Sequence, residues 1–312
     1  MKNGIIVVNK EAGCTSFRVV SILRRLLNEK KIGHMGTLDP DATGVLPVCV
    51  GRATKLLELI PDHDKAYEAV MRLGIITDTY DLSGQILEEK PVDLSEESVQ
   101  RAIGSFVGSY MQLPPMYSAK RVDGRRLYEL AREGVTVDRQ ASEVNIYSID
   151  IKWVKLPDVC IEVACSKGTY IRSLAYDIGQ KLGCGASIVS LKRTKACGYD
   201  IAEARTLEEI EAIIDEGRLD EILKPMEDLL EYKKLWAAEE IKVPVIHGAY
   251  IHNFSCITDE NGRDLNSLLD EQEISRGQLI RLFYGDYLCG IYMVEKKELK
   301  VIKFLADPDE VI

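Results

Sequence analysis

Asp39 sits in the stretch HMGTLDPDATGVL (residues 34–46), between Leu38 and Pro40 and flanked by Gly36 and Gly44. Pro40 has no N–H to donate and pushes Asp39 toward extended backbone angles. The glycines permit angles that other residues avoid. A rigid loop presenting one carboxylate is expected, seated over a core by the apolar neighbours Leu38, Val45, Leu46, Val48 and Val50. Such a carboxylate can serve as nucleophile, general base, metal ligand or structural cap. On spacing alone, an aspartate before proline is most economically a turn residue. A nucleophile must stay ionised, which a buried arginine in contact secures best. Arg52, Arg72 and Arg172 are the candidates, and spacing does not choose among them.

Other chemistry is weakly signalled. The eight cysteines (14, 49, 160, 165, 184, 197, 256 and 289) include no C-x-x-C pair, and several lie inside apolar runs. They read as reduced, buried thiols. His247, His252 and Cys256 are close in sequence, but their spacing fits no standard metal motif. The segment GIITDTYDLSGQI, with Asp78, Asp81 and Gly84, offers too few oxygen ligands for a calcium loop and reads as a hairpin or turn.

The elements that must position Asp39 follow from pattern. Gly4–Asn9 reads as a buried strand. A helix capped by Thr15 or Ser16 runs to about Leu27, with Phe17, Val20, Ile22, Leu23, Leu26 and Leu27 as its apolar set. Strands are expected at Val45–Val50, Lys65–Leu73, Val144–Val154, Val159–Cys165 and Ser187–Thr194. Helices are expected at Lys55–Ile60, Leu94–Phe106 (Ser95 cap), Gly124–Arg132, Ile171–Leu182, from Thr206 to about Ile214 through a capping box with Glu209, and Leu219–Leu230. From residue 240 the chain turns β-rich, with IKVPVI, GQLIRLFYG, YLCGIYMV and LKVIKFL separated by turns. Two domains are expected, 1–235 and 236–312, with a basic excursion at about 113–139.

Hydrophobic content of 46% and 29% charged residues suit a soluble globular protein. No apolar run reaches the roughly 18 residues of a membrane span, and the N-terminus lacks a signal-peptide pattern. A cytoplasmic protein without membrane contact is expected. The net charge of −10 argues against nucleic acid at face value, but residues 201–240 hold 13 Asp/Glu against 5 Lys/Arg. Outside that block lie basic clusters: Arg18, Arg24, Arg25, Lys30 and Lys31; Lys120, Arg121, Arg125 and Arg126; Lys192, Arg193 and Lys195. Singly, each reads as a solvated surface.

The segment GHMGTLDPDATGVLPVCVGRATK closely resembles the signature of the TruB family of tRNA pseudouridine synthases. DKAYEAVMRLGIITDTYDLSGQI, PPMYSAKRVDGRRLYELAREG, CSKGTYIRSLAYDIG and GASIVSLKRT resemble further family blocks in the family's order, so the likeness spans about residues 4–195. The tail resembles the RNA-binding PUA domain of bacterial members.

The resemblance implies an α+β fold: a mixed, mainly antiparallel sheet with flanking helices, plus a small C-terminal β domain. It implies an isomerase that needs no cofactor and no metal and converts one T-arm uridine of tRNA to pseudouridine. A monomer without an obligatory protein partner is expected. Carried over by motif, Asp39 is the nucleophile, attacking sugar C1′ or ring C6. Arg172 is its arginine partner, and Tyr67 stacks on the base and can handle a proton. Tyr170 and Leu191 line the uracil pocket, and His34 helps hold the T loop. Lys10, Lys65, Lys120, Arg121, Arg125 and Arg126 are the candidate phosphate contacts. Two positions depart from the family pattern: Lys10-Glu11 stands where Lys-Pro is common, and Arg121 where Lys is common. A tRNA-folding chaperone with little or no catalysis is the alternative.

Overall fold

The computed structural model describes residues 2–60, 64–118, 120–122 and 124–309. Its strands are β1 (Gly4–Lys10), β2 (Ile32–His34), β3 (Thr43–Val50), β4 (Lys65–Leu73), β5 (Ile75–Thr77), β6 (Ile86–Glu89), β7 (Gly108–Gln112), β8 (Arg121–Val122), β9 (Arg125–Arg126), β10 (Ser142–Lys155), β11 (Asp158–Cys165), β12 (Ala186–Ala196), β13 (Tyr199–Asp200), β14 (Lys233–Ala237), β15 (Ile257–Thr258), β16 (Leu279–Tyr284), β17 (Tyr287–Val294) and β18 (Leu299–Phe304). The helices are α1 (Ser16–Leu27), α2 (Glu96–Gly104), α3 (Leu127–Arg132), α4 (Ile171–Leu182), α5 (Leu207–Asp215), α6 (Lys242–Ile246) and α7 (Leu265–Asp270).

The large sheet runs β1-β3-β12-β4-β11-β10-β7, with β2 added to β3 and β13 to β12. Every pairing is antiparallel except β3–β12. The expected mixed, mainly antiparallel α+β architecture is therefore observed. Alternation sets the faces: along β4, Tyr67, Ala69, Met71 and Leu73 are buried while Glu68 is exposed. Helices α1, α2 and α4 pack their apolar residues against the inner face, with Val19, Val20, Leu23, Val99, Ile103, Leu174 and Ile178 all buried in one cluster with the strands. Thr15 caps α1 by accepting from the Arg18 N–H, and Asn28 in the left-handed region ends it.

The second sheet, β15-β14-β16-β17-β18, is also antiparallel apart from β14–β16. Phe283, Leu288, Ile291 and Leu305 from this part share one buried cluster with Ile5, Val45, Ala53 and Leu56 of the first. Arg52 crosses the same seam. It donates to the Tyr287 hydroxyl (2.9 Å) and the Leu305 carbonyl (3.1 Å) and pairs with Asp307. An apolar seam sealed by a largely buried ion pair couples the two parts mechanically.

Several elements differ from expectation. Leu219–Leu230 is two 3-10 turns, Leu219–Glu221 and Met226–Leu229. Pro225 cannot donate within a helix, and Lys224 instead exchanges both backbone hydrogen bonds with Ile5 of β1. IKVPVI is helix α6 rather than strand, because Pro244 near its start lacks a ladder donor but suits a first helical turn. The helix expected at Lys55–Ile60 is a 3-10 segment shifted to Gly51–Leu56. Residues 124–126 belong to the β8–β9 hairpin, so α3 starts only at Leu127. Phe17 is exposed, not part of the α1 core. All eight cysteines are free, five of them buried. Among the described residues no helix is long and apolar enough to cross a membrane, and no group of His, Cys, Asp and Glu could hold a metal ion.

Candidate active site

Asp39 lies in the loop between β2 and β3, and that loop is fastened at many points. Leu38 is buried beneath it, 4% exposed. Ser16 at the start of α1 accepts from the Leu38 N–H (2.9 Å) and donates to the Leu38 carbonyl (3.2 Å). Lys10 at the end of β1 donates to the carbonyls of Pro40 (2.9 Å), Glu11 (2.8 Å) and Cys14 (2.6 Å). Arg193 of β12 donates to the carbonyls of Gly36 (3.2 Å), Thr37 (3.3 Å) and Val45 (2.7 Å), on both flanks of the loop. Gly44 is required here: its φ is +101°, and a Cβ would stand 2.2 Å from the Arg193 carbonyl oxygen. With its backbone so held, the loop cannot swing the carboxylate away.

Arg172 approaches from the first turn of α4. Its Nε and Nη2 bond the two Asp39 oxygens at 2.8 and 3.0 Å, a side-on bidentate pair. Nη1 donates to the Thr79 carbonyl (2.9 Å) and Nη2 also to the Tyr117 carbonyl (2.8 Å), with Asp81 at 3.8 Å. The guanidinium is 6% exposed and the Asp39 side chain 41%, so the arginine is fixed inside while the carboxylate faces out. Of the three arginines considered, only Arg172 meets Asp39. Arg52 serves the seam, and Arg72 pairs with Asp158 (2.7 Å).

The pair opens on a cleft of about 220 Å³ lined by Thr37, Lys65, Tyr67, Ser118, Tyr170 and Leu191, among others. Tyr67 comes from β4 and is 7% exposed; burial pushes its phenol up, against an opposing pull from Arg193. It is a neutral hydroxyl at physiological pH. Leu191 is on β12 and Tyr170 immediately precedes α4. Asp39, Tyr67, Tyr170, Arg172 and Leu191, all implied by the resemblance, thus converge from the β2–β3 loop, β4, the start of α4 and β12. His34 does not line this cleft. It lies on β2, half-buried, with Nδ1 unpartnered among the described residues, and burial followed by the Arg193 charge lowers its pKa.

The basic residues divide. Lys10 is 1% exposed, and its three N–H groups are satisfied by three carbonyls, so no phosphate can reach it. The expected phosphate contact is instead a brace of the Asp39 loop. Lys65 lines the cleft, and burial lowers its pKa first, with Arg193 adding to the effect. Lys120 bonds the Ser142 hydroxyl (2.8 Å). Arg125 pairs with Glu133 (2.5 Å) and Arg126 reaches the Tyr128 hydroxyl (2.8 Å), both exposed. The side chain of Arg121 lies outside what the structure describes.

Two participants were not singled out from sequence. Arg193 was grouped with surface charges, yet it is fully buried. A period-2 reading would have found it, since it lies two residues beyond Leu191 on one strand face. Ser118 lines the cleft with a buried hydroxyl that has no partner among the described residues; an isolated serine in an irregular segment carries no sequence signal.

The class is set by comparison with known proteins. Residues 24–171 match the family model described as TruB family pseudouridylate synthase (N terminal domain), and residues 172–231 match tRNA pseudouridylate synthase B C-terminal domain. A mixed sheet carrying an aspartate–arginine pair in this cleft is thus that of a pseudouridylate synthase. The chain belongs to the TruB family. It is 41% identical to tRNA pseudouridine synthase B of Clostridium tetani over 305 residues, 97% of this chain and 100% of the relative. It is 43% identical to that of Clostridium kluyveri over the same coverage. A solved Cbf5-Nop10-Gar1 complex contains a chain of like fold, with TM-score 0.70, 26% identity, and coverage of 98% of this chain and 86% of the other.

Proposed function

We propose that the chain isomerises the T-loop uridine at position 55 of tRNA to pseudouridine, with Asp39 as nucleophile on a nucleotide flipped into the cleft. That tRNA is the substrate follows from the family and its relatives. The observation that carries the residue assignment is the side-on Asp39–Arg172 pair exposed at the floor of a cleft walled by Tyr67, Tyr170 and Leu191.

The reaction breaks the bond from uracil N1 to sugar C1′, turns the base and joins C5 to C1′. The C5 proton is lost and N1 gains one, so nothing is added overall. Extruding the uridine costs a few kcal/mol of stacking, and an aromatic platform returns about 1–3 kcal/mol per base. Tyr67 provides that platform and, as a buried neutral phenol, a group that can pass a proton. Arg172 orients the Asp39 carboxylate for attack through its bidentate hold on both oxygens. Leu191 and Tyr170 keep the detached uracil from water. A neutral His34 with a free ring nitrogen suits contact with the emptied T loop. Lys65, Lys120, Arg121, Arg125 and Arg126 are assigned to phosphates, which suits recognition of RNA by shape. Residues 236–312 are assigned as a PUA-like RNA-binding domain following a catalytic domain of 1–235, the chain acting as a monomer in the cytoplasm.

A non-catalytic chaperone would not require a fixed ion pair at the cleft floor. Incubation with an unmodified tRNA transcript, followed by pseudouridine mapping, tests the reading. Product is expected at the T-loop uridine, and Asp39→Asn should abolish it while tRNA affinity stays within about twofold. Product elsewhere, or loss of binding in parallel with activity, would refute the assignment.

A further inference from the structure

Tyr170 sits immediately before α4 with extended angles, and no side chain of its own caps the helix. Its backbone is instead held by Gln112, the last residue of β7. The Gln112 side-chain oxygen accepts the Tyr170 N–H at 2.8 Å, and its amide nitrogen donates to the Tyr170 carbonyl at 3.1 Å. The carboxamide thus pairs with Tyr170 as a neighbouring strand would. Gln112 is 2% exposed, and its second amide hydrogen is taken by the Tyr110 hydroxyl.

The fastening repeats along α4. Ser173 donates to the carbonyl of Leu113 at 2.8 Å. The Tyr110 side chain, also on β7, stands near enough to Asp177 that each shifts the other's titration. Residues 170, 173 and 177 are three and four positions apart, one face of a helix. The end of β7 and the residue after it therefore grip a single face of α4 at its start, first turn and middle. That grip fixes the helix in rotation and along its axis. Arg172, in the first turn, reaches Asp39 only from one such setting, because its bonds to Asp39, Thr79 and Tyr117 come from three different segments.

We infer that Gln112 is a positioning residue for the isomerisation, setting Tyr170 and Arg172 against Asp39 through its two-way pairing with the Tyr170 backbone. It touches neither substrate nor the reacting atoms. The inference rests on the roles assigned above to Tyr170 and Arg172. Misplacement of catalytic groups by about 1 Å can cost ~100-fold in rate. Removal of the clamp should therefore lower the single-turnover rate on tRNA without a matching loss of affinity.

The test compares wild type with Gln112→Ala, Gln112→Glu and Ser173→Ala, reading single-turnover rate, tRNA Kd and thermal midpoint. Gln112→Ala should slow the step about 10–100-fold with Kd within about twofold. Gln112→Glu keeps the acceptor but when ionised loses the donor. Its rate should rise toward wild type on acidification, as its buried carboxyl gains a proton, while Gln112→Ala stays slow at every pH. Ser173→Ala, which leaves the clamp intact, should slow the step less. A wild-type rate in Gln112→Ala, or equal losses of rate and affinity, would overturn the inference while leaving the functional reading intact. Failure of the functional reading would show separately, as a wild-type rate in Arg172→Ala.

Discussion

Lys10 illustrates how a charged side chain can act on chemistry without touching substrate. Its ammonium is buried and ties the end of β1 to the carbonyl of Pro40, next to Asp39. Burial lowers its pKa, and the bonds to three carbonyls repay part of that cost. Lys10→Met keeps the stem and removes the donors, stranding three carbonyls at about 1–3 kcal/mol each before relaxation. A stability loss of about 2–4 kcal/mol in urea titration is expected, with the salt dependence of tRNA binding unchanged. A phosphate contact would behave oppositely, keeping stability and losing about one unit of salt slope. Neighbouring Arg193 obeys the same logic on β12, which is why its two outward-facing neighbours, Lys192 and Lys195, mislead a reading of the whole run as surface.

At the scale of elements, α4 carries the arginine, the adjoining tyrosine and a half-buried acid. Burial pushes the Asp177 carboxyl up to about 6, with Tyr110 opposing it. Its value in the unfolded chain is near 3.8. The folded state therefore holds a proton between about pH 4 and 6 that the unfolded state has released, so stability falls as pH rises through that window. Asp177→Asn keeps an oxygen for the Tyr110 hydroxyl and removes the charge. Its thermal midpoint should exceed that of wild type at pH 7 and converge with it below pH 4. Equal midpoints at pH 7 would contradict the raised carboxyl. Strand and helix locations were largely legible because alternation and caps are local, as in β4, β11 and α5. Two of the failures sit at Pro225 and Pro244, where one residue without an N–H outvotes an apolar stripe.

Across the whole molecule, the second sheet is braced against the first rather than tethered to it. Deleting residues 233–312 would uncover Ile5, Val45 and Leu56 and leave Arg52 without Asp307. The truncated chain should bind a hydrophobic dye and melt lower than full-length protein, in addition to binding tRNA less tightly. A truncation with an unchanged melting point would show that the seam contributes little. The acidic block at 201–240 forms α5, several 3-10 turns and β14, whose charges are mostly exposed, and the cleft keeps its own basic residue in Lys65. Net charge alone thus says little about which face meets RNA.

The sequence by itself pointed to the family, the mixed α+β architecture, the Asp39 loop and the residues that gather around it. Motif order and local periodicity are properties of neighbouring residues, and they survive without coordinates. Only the tertiary structure showed Arg172, which spacing could not tell from Arg52 and Arg72 and only the resemblance favoured, in contact with Asp39, withdrew Lys10 from the RNA surface and buried Arg193. It alone revealed the hold of Gln112 on Tyr170. Each of these is a contact between side chains or backbone groups far apart in sequence. Burial, which decides whether a charge meets water, a carbonyl or a carboxylate, is a property of the packed molecule.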